Sequence, residues 1–345
     1  MKQIRVEDAV GTILSHDVTQ IIPGKFKGRA FKKGHVIREE DIEKLLSIGK
    51  EHVYVWEKEE GMLHENEAAE RLKDLVCGEG LSFGEIKEGK IEFLADKDGL
   101  LKIDKEKLLE LNMLGEIIVS TIHGNFPVKK GDKVGATRVI PLVIDENKII
   151  EAENLIKDKI IEVKEIKNKK TFAITTGNEV YSGRIKDAFG PVLKEKLKEF
   201  NIDLERQVIL PDDKEKIIEE IKRALDEGAE LILCTGGMSV DPDDVTPTAI
   251  KECGGELITY GSPVLPGAML LLAYYNDVPI IGIPSCAMYS KRTALDLVLP
   301  RVLADERLTL RDIAEYGHGG LCLNCPVCTF PHCSFGKWLE IIVKG

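Results

Sequence analysis

The sequence predicts an α/β protein with three parts: a parallel-sheet, three-layer domain, a strand-rich region before it, and a Cys-rich C-terminal tail. Three observations predict this. From Thr171 onward, short apolar runs alternate with helix-period stretches, the pattern of parallel strands covered by helices on both faces. Within that segment Leu231-Ile232-Leu233-Cys234 is apolar without a break, as a strand buried on both faces must be, and it runs into Thr235-Gly236-Gly237. Near the end, Cys322, Cys325, Cys328 and Cys333 crowd a short Gly/Pro-rich stretch. The expected boundaries are 1–60 for a small α/β segment, 61–168 for the strand-rich domain, 169–316 for the α/β domain and 317–345 for the tail.

Bulk properties narrow the function. The chain has 345 residues, 43% hydrophobic and 31% charged, with a net charge of −11. That length supports two or three domains with their own cores. The acidic balance argues against general nucleic-acid binding. No apolar run approaches the roughly 20 residues of a membrane span. Met1-Lys2-Gln3-Ile4-Arg5-Val6-Glu7-Asp8 turns acidic with no apolar leader, so a cytoplasmic protein is expected.

In chain order, Ile21-Ile22-Pro23-Gly24 reads as a strand ending in a turn. The basic run Lys25 to Lys33 reads as a solvated loop. Ile42, Leu45 and Leu46 share one helical face and Gly49 suits the cap beyond it, so Asp41 to Gly49 is a helix. His52 to Trp56 is a strand. Gly61 to Cys77 is expected to be a helix through Ala68, Ala69, Leu72, Leu75 and Val76. Strands follow at Ile91 to Leu94, Gly115 to Ser120 and after the Lys-Gly-Asp turn at Lys130. Lys167 to Lys170 is a polar linker. Thr171 to Thr175 is a strand, Pro191 to Phe200 a helix and Gln207 to Leu210 a strand. Asp212-Asp213-Lys214 opens a helix that ends at Gly228. Val278 to Pro284 is another strand. A last helix is expected from Met288 to Leu303, interrupted at Pro300. Trp338 to Val343 reads as a closing strand.

Three strand ends would face one crevice: Thr176-Gly177-Asn178-Glu179, Thr235-Gly236-Gly237 and Pro284-Ser285-Cys286. Parallel sheets bind ligands beyond such ends. Paired glycines bare the backbone amides, and bare amides beside a helix start attract anions. Asp241, Asp243 and Asp244 follow closely, and Mg²⁺ favours a few carboxylates with ligand phosphates. The pattern points to a phosphorylated ligand with a hard metal. The alternative is ordinary turn chemistry, with Asp244 capping the helix at Thr246-Pro247.

These residues resemble the molybdopterin-binding domain of molybdenum cofactor biosynthesis. The resemblance rests on Thr175 to Glu179, Gly183-Arg184-Ile185-Lys186-Asp187, Thr235 to Val240 and Asp244-Val245-Thr246-Pro247, in the family's order. It covers roughly Thr171 to Asp305, and the first half is more faintly similar to molybdopterin molybdenumtransferases. The resemblance implies binding of molybdopterin or its adenylated form, with molybdate inserted as AMP leaves and Mg²⁺ present. It implies contacts from Thr176, Gly177, Glu179, Thr235, Gly236, Gly237, Ser239, Pro284 and Ser285, functional aspartates at Asp187 and Asp244, and a homodimer. Asp187 is otherwise a plain helix-start carboxylate. Molybdopterin adenylyltransferase and a non-catalytic cofactor carrier or sensor are the alternatives. Partners would be other cofactor-maturation proteins or apo-molybdoenzymes. Two departures stand out: Pro284-Ser285-Cys286-Ala287 replaces the family's Pro-Gly turn, and Pro266-Gly267-Ala268-Met269 lacks the usual lysine.

The four tail thiols are spaced to wrap one soft metal, Zn²⁺ or an Fe–S cluster. The other reading is a reduced tail or disulfides.

Overall fold

The computed structural model describes residues 2–55, 60–239, 241–242 and 244–337. The chain divides into two compact units. One comprises Met1–Lys97, Lys102–Ile122 and Lys129–Val163; the other comprises Asp98–Leu101, His123–Val128 and Lys164–Gly345. Trp56, Val240, Asp243 and the strand expected at Trp338 to Val343 lie outside the described residues.

In the first unit, Lys2–Arg5 pairs antiparallel with His52–Val55. The run read as a basic loop is instead one arm of a hairpin, Phe26–Phe31 against Val18–Ile22. Lys27 and Arg29 of this arm are exposed, while Phe31 joins Val6, Leu14, Ile37, Leu45 and Val53 in a small core. A four-stranded antiparallel sheet follows, ordered Leu81–Phe83, Lys90–Ala95, Lys133–Val139, Ile117–Thr121. Ile91, Phe93 and Ala95 are buried and the residues between them are not, the two-residue period of a half-covered sheet. The helix expected from Gly61 begins only at Glu65 and ends at Val76. Met62–His64 is pulled into a strand by pairing with Val143–Asp145, a partner far away in sequence. Helices at Lys105–Met113 and Glu146–Leu155 were not expected.

The second unit is built around a six-stranded sheet. Its elements are β1 (Thr171–Thr176), α1 (Phe189–Lys198), β2 (Leu204–Leu210), α2 (Lys214–Asp226), β3 (Leu231–Thr235), α3 (Thr246–Glu252), β4 (Glu256–Tyr260), β5 (Leu271–Tyr275), β6 (Val278–Ile283) and α4 (Ala294–Leu303). The order is β2-β1-β3-β6-β5-β4. β2, β1, β3 and β6 are mutually parallel. β5 runs antiparallel to both neighbours, so the sheet is mixed rather than wholly parallel.

Both faces are covered. Ala173, Leu231, Leu233, Ile281 and Ile283 point to α1 and α4, where Leu193, Leu197, Leu295 and Val298 meet them. Phe172, Ile174, Ile232, Cys234 and Ile280 point the other way, to Ile217, Ile221 and Ala224 of α2 and Ala249 and Ile250 of α3. The central strands therefore have no solvent face, which is why they read as unbroken apolar runs. Each large aliphatic side chain buried this way contributes on the order of 1.5–3 kcal/mol.

Two helix expectations change. The helix expected as the last starts at Ala294, where Thr293 and Asp296 form a capping box, the preceding Ser285–Met288 is a short 3-10 turn, and a further short helix follows at Leu310–Ala314. The helix from Ala294 also continues through Pro300 to Leu303, and all its residues are buried. Packing on both sides of this apolar helix outweighs the hydrogen bond that proline removes.

Among the described residues, no helix is long and apolar enough to cross a membrane.

Candidate functional site

The chain leaves β1 toward the β2 edge and leaves β3 toward β6, so the loops after β1 and β3 part company at the sheet's centre. A crevice opens at such a switch point, beyond the carboxyl ends of the strands. Here it is a cavity of about 480 Å³.

Gly236 and Gly237 form its floor, with φ of +82° and +52°. A Cβ on Gly236 would overlap the Thr176 carbonyl oxygen and stand 2.8 Å from the carbonyl carbon. A Cβ on Gly237 would stand 2.9 Å from Thr246 Oγ1 and 3.1 Å from Thr176 Oγ1. Only glycine fits a left-handed turn pressed this closely against β1. The two hydroxyls it faces are themselves hydrogen-bonded, Thr176 Oγ1 to Thr246 Oγ1 at 3.1 Å.

Thr176, Gly177, Glu179, Gly236, Gly237, Ser239, Asp241, Asp244, Pro284 and Ser285, all expected from the sequence, line the cavity. Asp244 does not cap the following helix, whose N-cap position is Val245 and which has no side-chain cap bond. Its Oδ2 instead accepts the Asp241 amide at 3.2 Å, folding the acidic loop on itself. Tyr260 steadies that loop by donating its hydroxyl to the carbonyls of Met238 at 3.0 Å and Ser239 at 3.1 Å. Burial, helped by the Asp244 charge, pushes the Tyr260 phenol up.

Two expected residues sit elsewhere. Thr235 is fully buried, and its hydroxyl donates to Thr175 Oγ1 at 3.0 Å. Asp187 stands beside the lining residues Lys186 and Ala188, with its carboxylate turned inward. Its Oδ1 accepts the Phe189 amide at 2.9 Å, and its Oδ2 accepts the Gly190 amide at 3.0 Å and Gln207 Nε2 at 2.8 Å. Gln207 also donates to Thr175 Oγ1 at 2.9 Å. Thr235, Thr175, Gln207 and Asp187 thus form one chain of hydrogen bonds from the middle of the sheet to the start of α1. Asp243 lies outside the described residues.

Sequence reasoning missed Asp212. It follows the carboxyl end of β2, accepts the Asn178 amide at 2.9 Å and lines the cavity. The signal was available, since a carboxylate just past a parallel strand faces the same crevice. It also missed Lys186 as a lining residue, along with the apolar flank of Val180, Ile185, Phe189, Met238, Met269 and Met288. Among the described residues the site therefore combines glycine amides, four carboxylates (Glu179, Asp212, Asp241, Asp244), one lysine and an apolar wall.

The tail cysteines are free thiols. All four line a second cavity, also of about 480 Å³, with Tyr289, Lys291, Arg292 and Phe330. Among the described residues, no three His, Cys, Asp or Glu side chains already converge at metal-binding distance.

Residues 172–304 match the family described as "Probable molybdopterin binding domain". Residues 3–57 match a domain of unknown function. A Methanocaldococcus jannaschii protein named for molybdopterin biosynthesis is 23% identical over 304 residues, which is 81% of this chain and 68% of that protein. Molybdopterin molybdenumtransferase of Staphylococcus epidermidis is 29% identical over 106 residues, 31% of this chain and 25% of the enzyme. A CinA-like protein of Mycobacterium avium is 34% identical over 86 residues, and the chain spans only 20% of that relative's length. Among solved structures, the molybdopterin biosynthesis enzyme MoaB of Thermus thermophilus aligns with a TM-score of 0.32 at 18% identity, over 40% of this chain and 98% of that one.

Proposed function

We propose that the domain over residues 172–304 binds molybdopterin or its adenylated form, and that the chain inserts molybdate into it with release of AMP. The observation that carries this reading is the lining of the crevice, in which the Gly236-Gly237 corner and an apolar wall share one cavity. Backbone amides at a glycine turn suit a phosphate. Ile185, Phe189, Met269 and Met288 suit the flat pterin. The family match supplies the ligand class.

The charge balance supports a divalent cation. Among the described lining residues Lys186 is the one cation, against four carboxylates, so an anionic ligand would be repelled unless a metal came with it. The donor set is hard oxygen, which fits Mg²⁺. Asp244 and Asp241, which share one loop, would hold it together with ligand phosphates, with Asp212 as a further negative charge in the same cavity, and it would supply charge neutralisation as the pyrophosphate link to AMP breaks. Lys186 would meet phosphate oxygens. Asp187, turned onto two amides and Gln207, acts as a positioning residue that fixes the loop carrying Lys186. The same reading has the chain working in the cytoplasm as a homodimer, which light scattering on the purified protein checks.

Incubation with adenylated molybdopterin, Mg²⁺ and molybdate tests the proposal. The expected result is AMP release that falls at least tenfold in Asp244→Asn and in Asp212→Asn, with thermal stability kept. Formation of adenylated molybdopterin from ATP would make the chain the adenylyltransferase. Binding without turnover would make it a carrier or sensor. Absence of binding would overturn the ligand assignment altogether.

A further inference from the structure

We infer that the tail is a metal centre in its own right, with the thiolates of Cys322, Cys325, Cys328 and Cys333 holding a thiophilic metal, Zn²⁺ or an Fe–S cluster. The tail is a loop whose middle lacks a core. Residues 321–337 contain no helix or strand among those described. Leu321, Leu323 and Val327 are 61%, 72% and 75% exposed, so the middle of the loop buries little. A loop of this length without secondary structure of its own is uncommon in a compact domain, and short core-poor segments are commonly cross-linked by a metal.

The two ends of the loop are well anchored. Leu265 N donates to Gly320 O, and Cys322 N donates back to Leu265 O, both at 2.8 Å. Gly336 N closes the loop on Gly319 O at 3.0 Å. Phe335 is 2% exposed, and Cys322, Phe330 and Cys333 pack against the same core. The Phe330 ring meets Phe126 edge-on at 5.6 Å and carries the Arg292 guanidinium 4.8 Å above its centre. Cys322 and Cys333 are thus half-buried near the fixed base, while Cys325 and Cys328 are exposed along the span. All four border the same cavity.

Binding then has a definite chemistry. Four S–H protons leave to solvent as four metal–sulfur bonds form, and the thiols close on the metal as the loop tightens. This coupling of folding to binding is usual for small metal sites, which are rarely preformed. A divalent ion with four thiolates carries a net double negative charge. Lys291, whose Nζ already donates to Pro326 O at 3.3 Å, lines the cavity and offsets part of it. This assignment is independent of the ligand proposed for the other cavity.

The test is metal analysis of the full chain purified without oxygen, beside Cys325→Ser/Cys328→Ser. Those two side chains are exposed, so the double variant keeps the packed base, and circular dichroism confirms its fold. The expected result is about one zinc per chain, or about four irons with matching acid-labile sulfide and visible absorption, lost in the double variant. The bound metal should also slow proteolysis between residues 323 and 329. Less than a tenth of an equivalent of either metal, both as purified and after reconstitution with Zn²⁺ or with iron and sulfide, would overturn the inference. Equal metal in the double variant, or a mass that reveals disulfides in the anaerobic protein, would overturn it too.

Discussion

Replacing Gly236 by alanine separates backbone strain from steric overlap at the crevice floor. Gly236 has φ of +82°, and Gly228, at the end of α2, has φ of +83°. An alanine at either position is forced into the left-handed region, at about 1–2 kcal/mol. At Gly228 the new Cβ meets nothing within 4 Å. At Gly236 it overlaps the carbonyl of Thr176, the last residue of β1, which is paired with Leu210 of β2. Overpacking of that kind adds about 1–3 kcal/mol. Gly228→Ala should therefore lose about 1–2 kcal/mol and Gly236→Ala about 2–5 kcal/mol. At about 2–4 °C per kcal/mol for a domain of this size, the second variant melts roughly 4–20 °C below the parent. The gain from a stiffer unfolded chain is common to both and cancels in the comparison. Urea unfolding followed by circular dichroism measures the difference. If Gly236→Ala loses no more than Gly228→Ala, the close approach of the turn to β1 is wrong.

Two further perturbations test the charges. Burial raises the Glu65 carboxyl to about 7, outweighing the pull of Arg138 and Lys33, with Glu88 and Asp17 adding to the rise. A carboxyl raised in the folded state stabilises it fully below its ordinary value, and that stability is lost as pH climbs through about 7. The parent should therefore lose about 1–3 kcal/mol between pH 5 and 8 relative to Glu65→Gln. His16 and His64, lowered by burial, lose their contribution in the opposite direction, as pH falls, so the parent-minus-variant difference is the quantity to read. A pH-independent difference would contradict the burial of Glu65. In the other unit, buried Asp296 accepts Lys196 Nζ at 2.6 Å, Arg292 Nη1 at 2.8 Å and the Thr293 amide at 2.7 Å. Asp296→Ala strips a buried ion pair and a helix cap at once and should cost roughly 3–5 kcal/mol in urea unfolding. A loss under about 1 kcal/mol would mean that the pair is solvated.

Much of the second unit was readable because its central strands are covered twice. Phe172 to Ile174, Leu231 to Cys234 and Val278 to Ile283 carry apolar runs, and α2 shows one clean buried face at Ile217, Ile221 and Ala224. β4 and β5 were not expected as strands, and the antiparallel direction of β5 leaves no mark in the sequence, since a strand buried on both faces looks the same in either direction. Lys105–Met113 buries Leu111 and Glu146–Leu155 buries Ile149 and Ala152, too few positions to raise a helical period above their polar surroundings. Met62–His64 became a strand through a partner some eighty residues later, which no local pattern encodes. At the site, residue types and strand ends located the glycines and Asp244. The direction of each carboxylate was beyond reach. Asp187 turns inward to amides and Asp212, read only as a helix opener, turns to the crevice. Those outcomes depend on which donors lie nearby in space.

The hydroxyls of Thr175 and Thr235, meeting beside the Gln207 amide, index the central strands against one another. Sliding β3 by a single position would swing Thr235 to the opposite side and strip its hydroxyl of Thr175, while Thr175 would keep only Gln207. An all-aliphatic seam would tolerate that slip at little cost. The two oxygens act as a ratchet tooth, so the crevice rim is set to within one residue before any ligand arrives.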